Sequence, residues 1–194
     1  NTVYDSRDNC NAIIETASNT LLTGCKNTTI PNSVTTIGER AFYSCDDLTS
    51  IYLPSSIQKI GNDAFSGCEL TSIYVDGFNP VYDSRNKCNA IITTKTSTLT
   101  VGCKNTTFPS TVTQIGDSAF EGCVGITSIV IPNTITSIGG SAFAYCSELT
   151  SVVIPSSVAV IYGRAFFYCE KLISVVIPSS LTSIWTFTFG FCSS

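Results

Sequence analysis

The chain has 194 residues, 43% of them hydrophobic and only 12% charged, and its formal net charge is -4. Its ten Lys and Arg are scattered, so no basic stripe is available to neutralise nucleic-acid phosphates, and no run of 18 apolar residues reads as a membrane span. His and Met are absent, which removes the commonest general base and zinc ligand and excludes any Ser-His or Cys-His nucleophile pair.

The chain opens on NTVYDSRDNCNAIIETASNTLLTGCKNTTIP, and this segment returns at Asn79 to Pro109, offset by 78 residues with 21 of 31 positions identical. Each copy sets two apolar runs around a polar turn: Ala12-Ile13-Ile14 against Leu21-Leu22, and Ala90-Ile91-Ile92 against Leu99. That pattern predicts a hairpin, turning at Ala17-Ser18 in the first copy and Lys95-Thr96 in the second. Such turns place Cys10 opposite Cys25 and Cys88 opposite Cys103. In an exported protein these pairs can form disulfides that stabilise a hairpin with little core; the alternative is four more buried thiols. Asp5, Asp8, Asn9 and Asn11 invite a calcium-loop reading. The second copy has Asp83, Asn86, Lys87 and Asn89, where a Lys opposes a cation, so a polar turn is the expectation.

After each of these segments the chain falls into a period of 23 residues. Pro31 and Pro54, then Pro109, Pro132, Pro155 and Pro178, keep the beat. So do Phe42, Phe65, Phe120, Phe143, Phe166 and Phe189, and Cys45, Cys68, Cys123, Cys146, Cys169 and Cys192. A fixed period of this length means a stack of one unit, each burying its apolar face against its neighbours. Within a unit, Leu48-Thr-Ser-Ile51-Tyr-Leu53 puts apolar residues at positions one, four and six and ends in an in-out-in strand, which Pro54 closes. A second short extended piece fits Val34 to Ile37, and Ala41-Phe42 turns the chain back with the ring inward. Stacked in register, the strands form a parallel sheet and the six phenylalanines one column. The expected architecture is one mainly β solenoid over 1–194, with insertion units at 1–30 and 76–108 and short units at 31–75 and 109–194. Because residue 1 is Asn and the last unit stops after Cys192, the chain is read as a fragment of a longer protein.

The Leu-x-x-Ile-x-Leu strand, repeated with Ile-Gly-x-x-Ala-Phe-x-x-Cys, resembles the BspA-like leucine-rich repeats. The Tyr-Asp-Ser-Arg…Cys-Asn-Ala-Ile-Ile insertion is similar to the version in surface proteins of anaerobic bacteria. The resemblance covers essentially the whole chain. It implies a right-handed leucine-rich-repeat solenoid, a cell-surface or secreted location, no cofactor, and adhesion to host extracellular-matrix or cell-surface proteins. The Gly after the Ile, present at Gly38, Gly61, Gly116 and Gly139, becomes Tyr162 and Trp185 in the last two units. That position therefore does not demand a positive φ, and its side chain is expected to point outward.

The six ladder cysteines are read as small buried hydrophobes, since in-register stacking aims their Cβ vectors in parallel, a poor geometry for bridging. The Asp46-Asp47 and Asp63 carboxylates read as a solvated face, with nothing to set two of them across a cleft for glycoside hydrolysis. Function is sought where the units differ. Near the ladder Cys the later units carry Tyr145, Phe167, Tyr168 and Phe191, to which Tyr162, Trp185 and Phe187 add. Stacked on one face they make an aromatic patch suited to binding protein, or else they cover the end of the stack. A second candidate is the outward stripe of the main sheet, Tyr52 and Tyr74 followed by Val130, Val153 and Val176. The leading expectation is a non-enzymatic adhesion module; the alternative is a structural spacer projecting another domain. An exposed strand edge at the end of the stack invites edge-to-edge dimers.

Overall fold

The computed structural model describes residues 2–192. Asn1, the first residue of the first insertion unit, and Ser193 and Ser194, the last of the final short unit, lie outside the described residues. The short units form six successive coils, numbered here from Pro31, Pro54, Pro109, Pro132, Pro155 and Pro178. In the first coil Leu48, Ile51 and Leu53 are buried, while Tyr52 points to solvent from the strand Ser50–Leu53. Pro54 stops that strand because it has no N–H to donate. The second coil then begins, with Ile57 buried and a two-residue strand at Lys59–Ile60. The main strands pair in parallel, Ser50–Leu53 with Ser72–Val75, and Ser128–Val130 with Ser151–Val153 and then Ser174–Val176. Among the described residues helix is confined to two short 3-10 turns, Arg7–Asn9 and Arg85–Lys87.

Two ladders hold adjacent coils together through their interior. Phenylalanine rings stack at centroid separations of 5.2 Å for Phe42 and Phe65, and of 4.9, 5.1 and 5.3 Å along Phe120, Phe143, Phe166 and Phe189. Beside them four of the six ladder thiols donate to the Phe carbonyl of the coil before them. Cys68 Sγ reaches Phe42 O at 3.0 Å, and Cys146, Cys169 and Cys192 reach Phe120, Phe143 and Phe166 at 3.2 to 3.3 Å. Buried Cys here serves as a small apolar group that also caps a carbonyl.

The expectation of one Phe column and one main sheet needs correcting. The rings form two columns, and the main sheet splits into a pair of strands and a trio. The second insertion unit is the cause. Its three strands, Tyr82–Asp83, Ile91–Thr93 and Thr98–Val101, form antiparallel pairs. They join the sheet of short second strands, where Thr98–Val101 continues in parallel to Gln114–Ile115. Tyr82 Oη accepts from Ile60 N at 3.1 Å and links this sheet to the second coil. The unit adds no strand to the main sheet and no Ala-Phe-x-x-Cys arc. At the level of the ring column it offers Gly102, whose backbone lies flat on Phe120. Gly24 lies on Phe42 in the same way. The hairpins turn at residues 16–19 and 94–97, around the expected dipeptides.

Along the opposite, turn edge the coils stay in contact throughout. Ser44 N donates to Ser66 O, Gly67 N to Glu121 O, Gly122 N to Ala144 O, Tyr145 N to Phe167 O and Tyr168 N to Gly190 O, all at 2.7 to 2.9 Å. The second insertion is therefore a wedge. It adds three strands, roughly 14 Å at ~4.8 Å per strand, on one edge and nothing on the other. The wedge leaves a cleft of about 410 Å³ between Phe65 and Phe120, floored by Val101 and Gly102.

Candidate functional site

The turn edge carries the candidate site, and its backbone explains why. In every coil the residue before the ladder Cys has a left-handed conformation, with φ of 51° at Ser44, 75° at Gly67, 69° at Gly122, 58° at Tyr145, 56° at Tyr168 and 57° at Phe191. Glycine takes that conformation without strain, whereas an aromatic side chain is held there at a cost of about 1–2 kcal/mol. In coils four to six the chain nonetheless places aromatic rings at this position. The rings stack into a surface ladder, Tyr145 on Tyr168 at 5.4 Å and Tyr168 on Phe191 at 4.8 Å, with planes within 13°. Phe167 stands edge-on to all three, and Phe187 meets Phe167 at 6.5 Å. Arg164 lies over the Phe167 ring at 5.5 Å. Tyr145, Phe187 and Phe191 are 46%, 56% and 60% exposed.

Tyr162 and Trp185 point outward as expected and pack on each other at 5.3 Å. Each lies before the corner of its own coil, Ala165-Phe166 and Thr188-Phe189, and among the described residues no ring contact joins them to the ladder. The proposed single patch is thus two clusters. On the main sheet Tyr52 and Tyr74 are neighbours in register, but the wedge separates them from Val130, Val153 and Val176. Tyr52 Oη donates to Asp76 Oδ2 at 2.6 Å, which raises the phenol above its ordinary value and lowers the carboxyl. Phe78, 91% exposed beside them, is missed by the repeat pattern because it sits in the turn between a short unit and an insertion, where the period offers no equivalent.

All ten cysteines are free thiols. Cys25 Sγ donates to Asn11 O at 3.4 Å and Cys103 Sγ to Asn89 O at 3.3 Å, while Cys10 and Cys88 are fully buried. Burial pushes the ladder thiols up, to about 12 for Cys68, Cys123 and Cys169. The acidic segments are polar turns, with Asp8, Asn9 and Asn11 and their counterparts Asn86, Lys87 and Asn89 in left-handed conformations. Asp5 is engaged by the Arg7 guanidinium at 2.8 Å and held below its ordinary value. Burial opposes the charge on Asp83, yet Arg85 and Thr94 together keep its carboxyl low. Among the described residues no helix is long and apolar enough to cross a membrane.

A model of the BspA type leucine-rich repeat region matches residues 17–101 and 91–194, in six copies. Among solved structures, a leucine-rich cell surface protein from Faecalibacterium prausnitzii A2-165 is 29% identical, with a TM-score of 0.59 over 85% of this chain and 51% of its own. The pneumococcal vaccine antigen PcpA is 18% identical, with a TM-score of 0.68 over 78% of this chain and 38% of its own. A leucine-rich repeat protein from Eubacterium ventriosum ATCC 27560 is 22% identical, with a TM-score of 0.50 over 84% and 64%. The last two likenesses show the fold alone. The chain spans about half the length of the Faecalibacterium protein and less of PcpA. No curated protein matches it in sequence. With a 23-residue β coil, thiol and phenylalanine ladders, and a repeat model matched from residue 17 to residue 194, the chain belongs to the BspA-type leucine-rich repeat family.

Proposed function

We propose that this chain is a non-enzymatic, surface-located protein-binding module that adheres to host extracellular-matrix or cell-surface proteins through the turn edge of coils four to six. One observation carries the reading. Tyr145, Tyr168 and Phe191 hold a strained backbone conformation that glycine fills at Gly67 and Gly122, and they form a stacked aromatic ladder in which Tyr145 and Phe191 are exposed and Tyr168 is half-buried. Strain kept at an exposed position needs a return other than stability, and stacked aromatics are favoured anchors for protein partners. A cell-surface location for the Faecalibacterium relative agrees with it.

The test is binding of the folded chain to a panel of purified extracellular-matrix proteins by surface plasmon resonance, with Tyr168→Gly and Trp185→Ala as variants. Tyr168→Gly loses two stacked and one edge-on ring contact, each about 0.5–1.5 kcal/mol, and relieves about 1–2 kcal/mol of backbone strain. Its stability should fall by no more than about 3 kcal/mol in urea, while binding by the folded variant falls by roughly tenfold or more. Loss on Trp185→Ala alone would assign the site to the Tyr162–Trp185 cluster. No binding by the parent chain to any panel member would favour a spacer that projects other domains.

A further inference from the structure

We infer that the turn edge at the junction of coils two and three is a binding trench for a short neutral saccharide, with the free face of Tyr145 as its platform and Glu121 as its central acceptor. The trench arises because two consecutive rungs of the surface ladder lack side chains. At Gly67 and Gly122 the backbones pack so closely that a Cβ on Gly122 would lie 2.6 Å from Gly67 Cα. Tyr145 stacks one ring face on Tyr168, and its other face looks across these glycines toward Tyr43. The continuous backbone ladder fixes the span from Tyr43 to Tyr145 at three rungs, about 14 Å at ~4.8 Å each. That length suits two or three pyranose rings.

Two cavities of about 290 and 250 Å³ make up the trench, and Tyr43, Glu121 and Tyr145 line both. The first is mostly apolar, with Val124 beside the Tyr145 face. The second is polar and holds Arg40, Asp63, Ser118, Ser141 and Arg164. Glu121 is fixed from below by Ser66, a buried hydroxyl that donates to Oε2 at 3.2 Å, and Ser118 engages the same carboxylate; a carboxylate has acceptor positions beyond these two for a ligand. Asp63 is held by Ser118 Oγ at 2.9 Å and by Arg40 Nε at 3.5 Å.

This inventory fits a sugar better than the other ligands an aromatic wall can take. Two guanidinium groups stand against three carboxylates, Asp63 and Glu121 in the polar lobe and Asp46 in the apolar one, so the site disfavours a phosphate, and the guanidinium groups beside Glu121 weaken its hold on an ammonium. Acceptor-only, donor-only and two-way groups stand together, which matches a row of hydroxyls that each donate and accept. A planar aromatic ligand would use the Tyr145 face but leave the polar lobe desolvated and unpaired, at a cost. A pyranose lays its C–H face on the ring and turns its hydroxyls to the lobe. The trench shares Tyr145 with the aromatic ladder of coils four to six but uses the opposite ring face, and Glu121→Gln, outside that ladder, tests the trench separately from protein binding.

The experiment is ligand-observed NMR followed by calorimetry on the folded chain. The probes are methyl glucoside, methyl galactoside, methyl mannoside, N-acetylglucosamine and the neutral disaccharides of each. Adenosine, lysine amide and a sulfated disaccharide are the comparison arms. At least one neutral saccharide should saturate at millimolar concentration. Glu121→Gln and Tyr145→Ala should each weaken it roughly tenfold or more, while Tyr145→Phe, which keeps the ring face, stays within about threefold. Thermal unfolding followed by circular dichroism confirms that each variant is folded; should Tyr145→Ala not fold, Glu121→Gln and Tyr145→Phe decide. Saturation by adenosine, lysine amide or the sulfated sugar alone would overturn the inference. So would no saturation by any saccharide, or saccharide binding that survives Glu121→Gln.

Discussion

At the scale of single residues, the most telling side chains are the thiols. Cys68, Cys146 and Cys169 each donate to a carbonyl one coil back and are removed from water, which disfavours their thiolates. Two outcomes follow. In the native chain a water-soluble disulfide reagent should react fast with Cys25, which is exposed, and slowly with the ladder thiols; all ten should react in denaturant. If export oxidises the Cys10–Cys25 pair, the fast phase appears only after reduction. The second outcome concerns pH. A thiol whose pKa rises from 9.0 to about 12 on folding lends stability that is complete below pH 9 and lost as pH climbs towards 12. Urea unfolding at a series of alkaline pH values should therefore show stability falling by roughly 1 kcal/mol per buried thiol per pH unit above 9. A flat profile would mean the thiols are not desolvated as the structure has them.

At the scale of elements, the insertion hairpins decide where the coil ladders begin and end. Glycine is required where a hairpin lies flat on a ring. A Cβ on Gly102 would sit 2.1 Å from Phe120 Cε1, and that ring is pinned from behind by Phe143. Gly102→Ala is expected to destabilise by about 1–3 kcal/mol or more, read from the urea midpoint. Gly77→Ala, with nothing within 4 Å of the new methyl, is expected to be near neutral and serves as the control. The repeat pattern marks both glycines as equivalent positions of the insertion copies, but it gives no sign of what they touch. Gly24 and Gly102 precede their rings by 18 residues, outside the 23-residue beat.

At the scale of the molecule, the wedge divides the interior into two cores, one centred on Phe42 and Phe65 and the other on the Phe120 to Phe189 column. In a stack where each unit contacts its neighbours alone, a break of this kind limits cooperativity. Hydrogen exchange is expected to show the strongest protection in coils three to five, a separate, weaker class in coils one and two, and early opening of coil six, where Ile184 and Trp185 are exposed. One uniform protection class across both cores would show that the turn-edge ladder alone carries cooperativity through the wedge.

The sequence by itself determined the coil. Its strand, its proline stop, its inward Phe and its ladder Cys are written in each 23-residue unit, because a unit packs against a near copy of itself and local pattern then suffices. The hairpins and their turns were legible for the same reason. The tertiary structure decided what those units add up to. That the hairpin strands join one sheet edge and leave the other closed depends on which edge they hydrogen-bond to, and no local pattern encodes it. The wedge splits the Phe column, parts Tyr52 and Tyr74 from the valine stripe, and sets Glu121 beside Ser66 across 55 residues of sequence. The corners at Ala165-Phe166 and Thr188-Phe189 likewise separate Tyr162 and Trp185 from an aromatic ladder that lies only a few residues further along the chain.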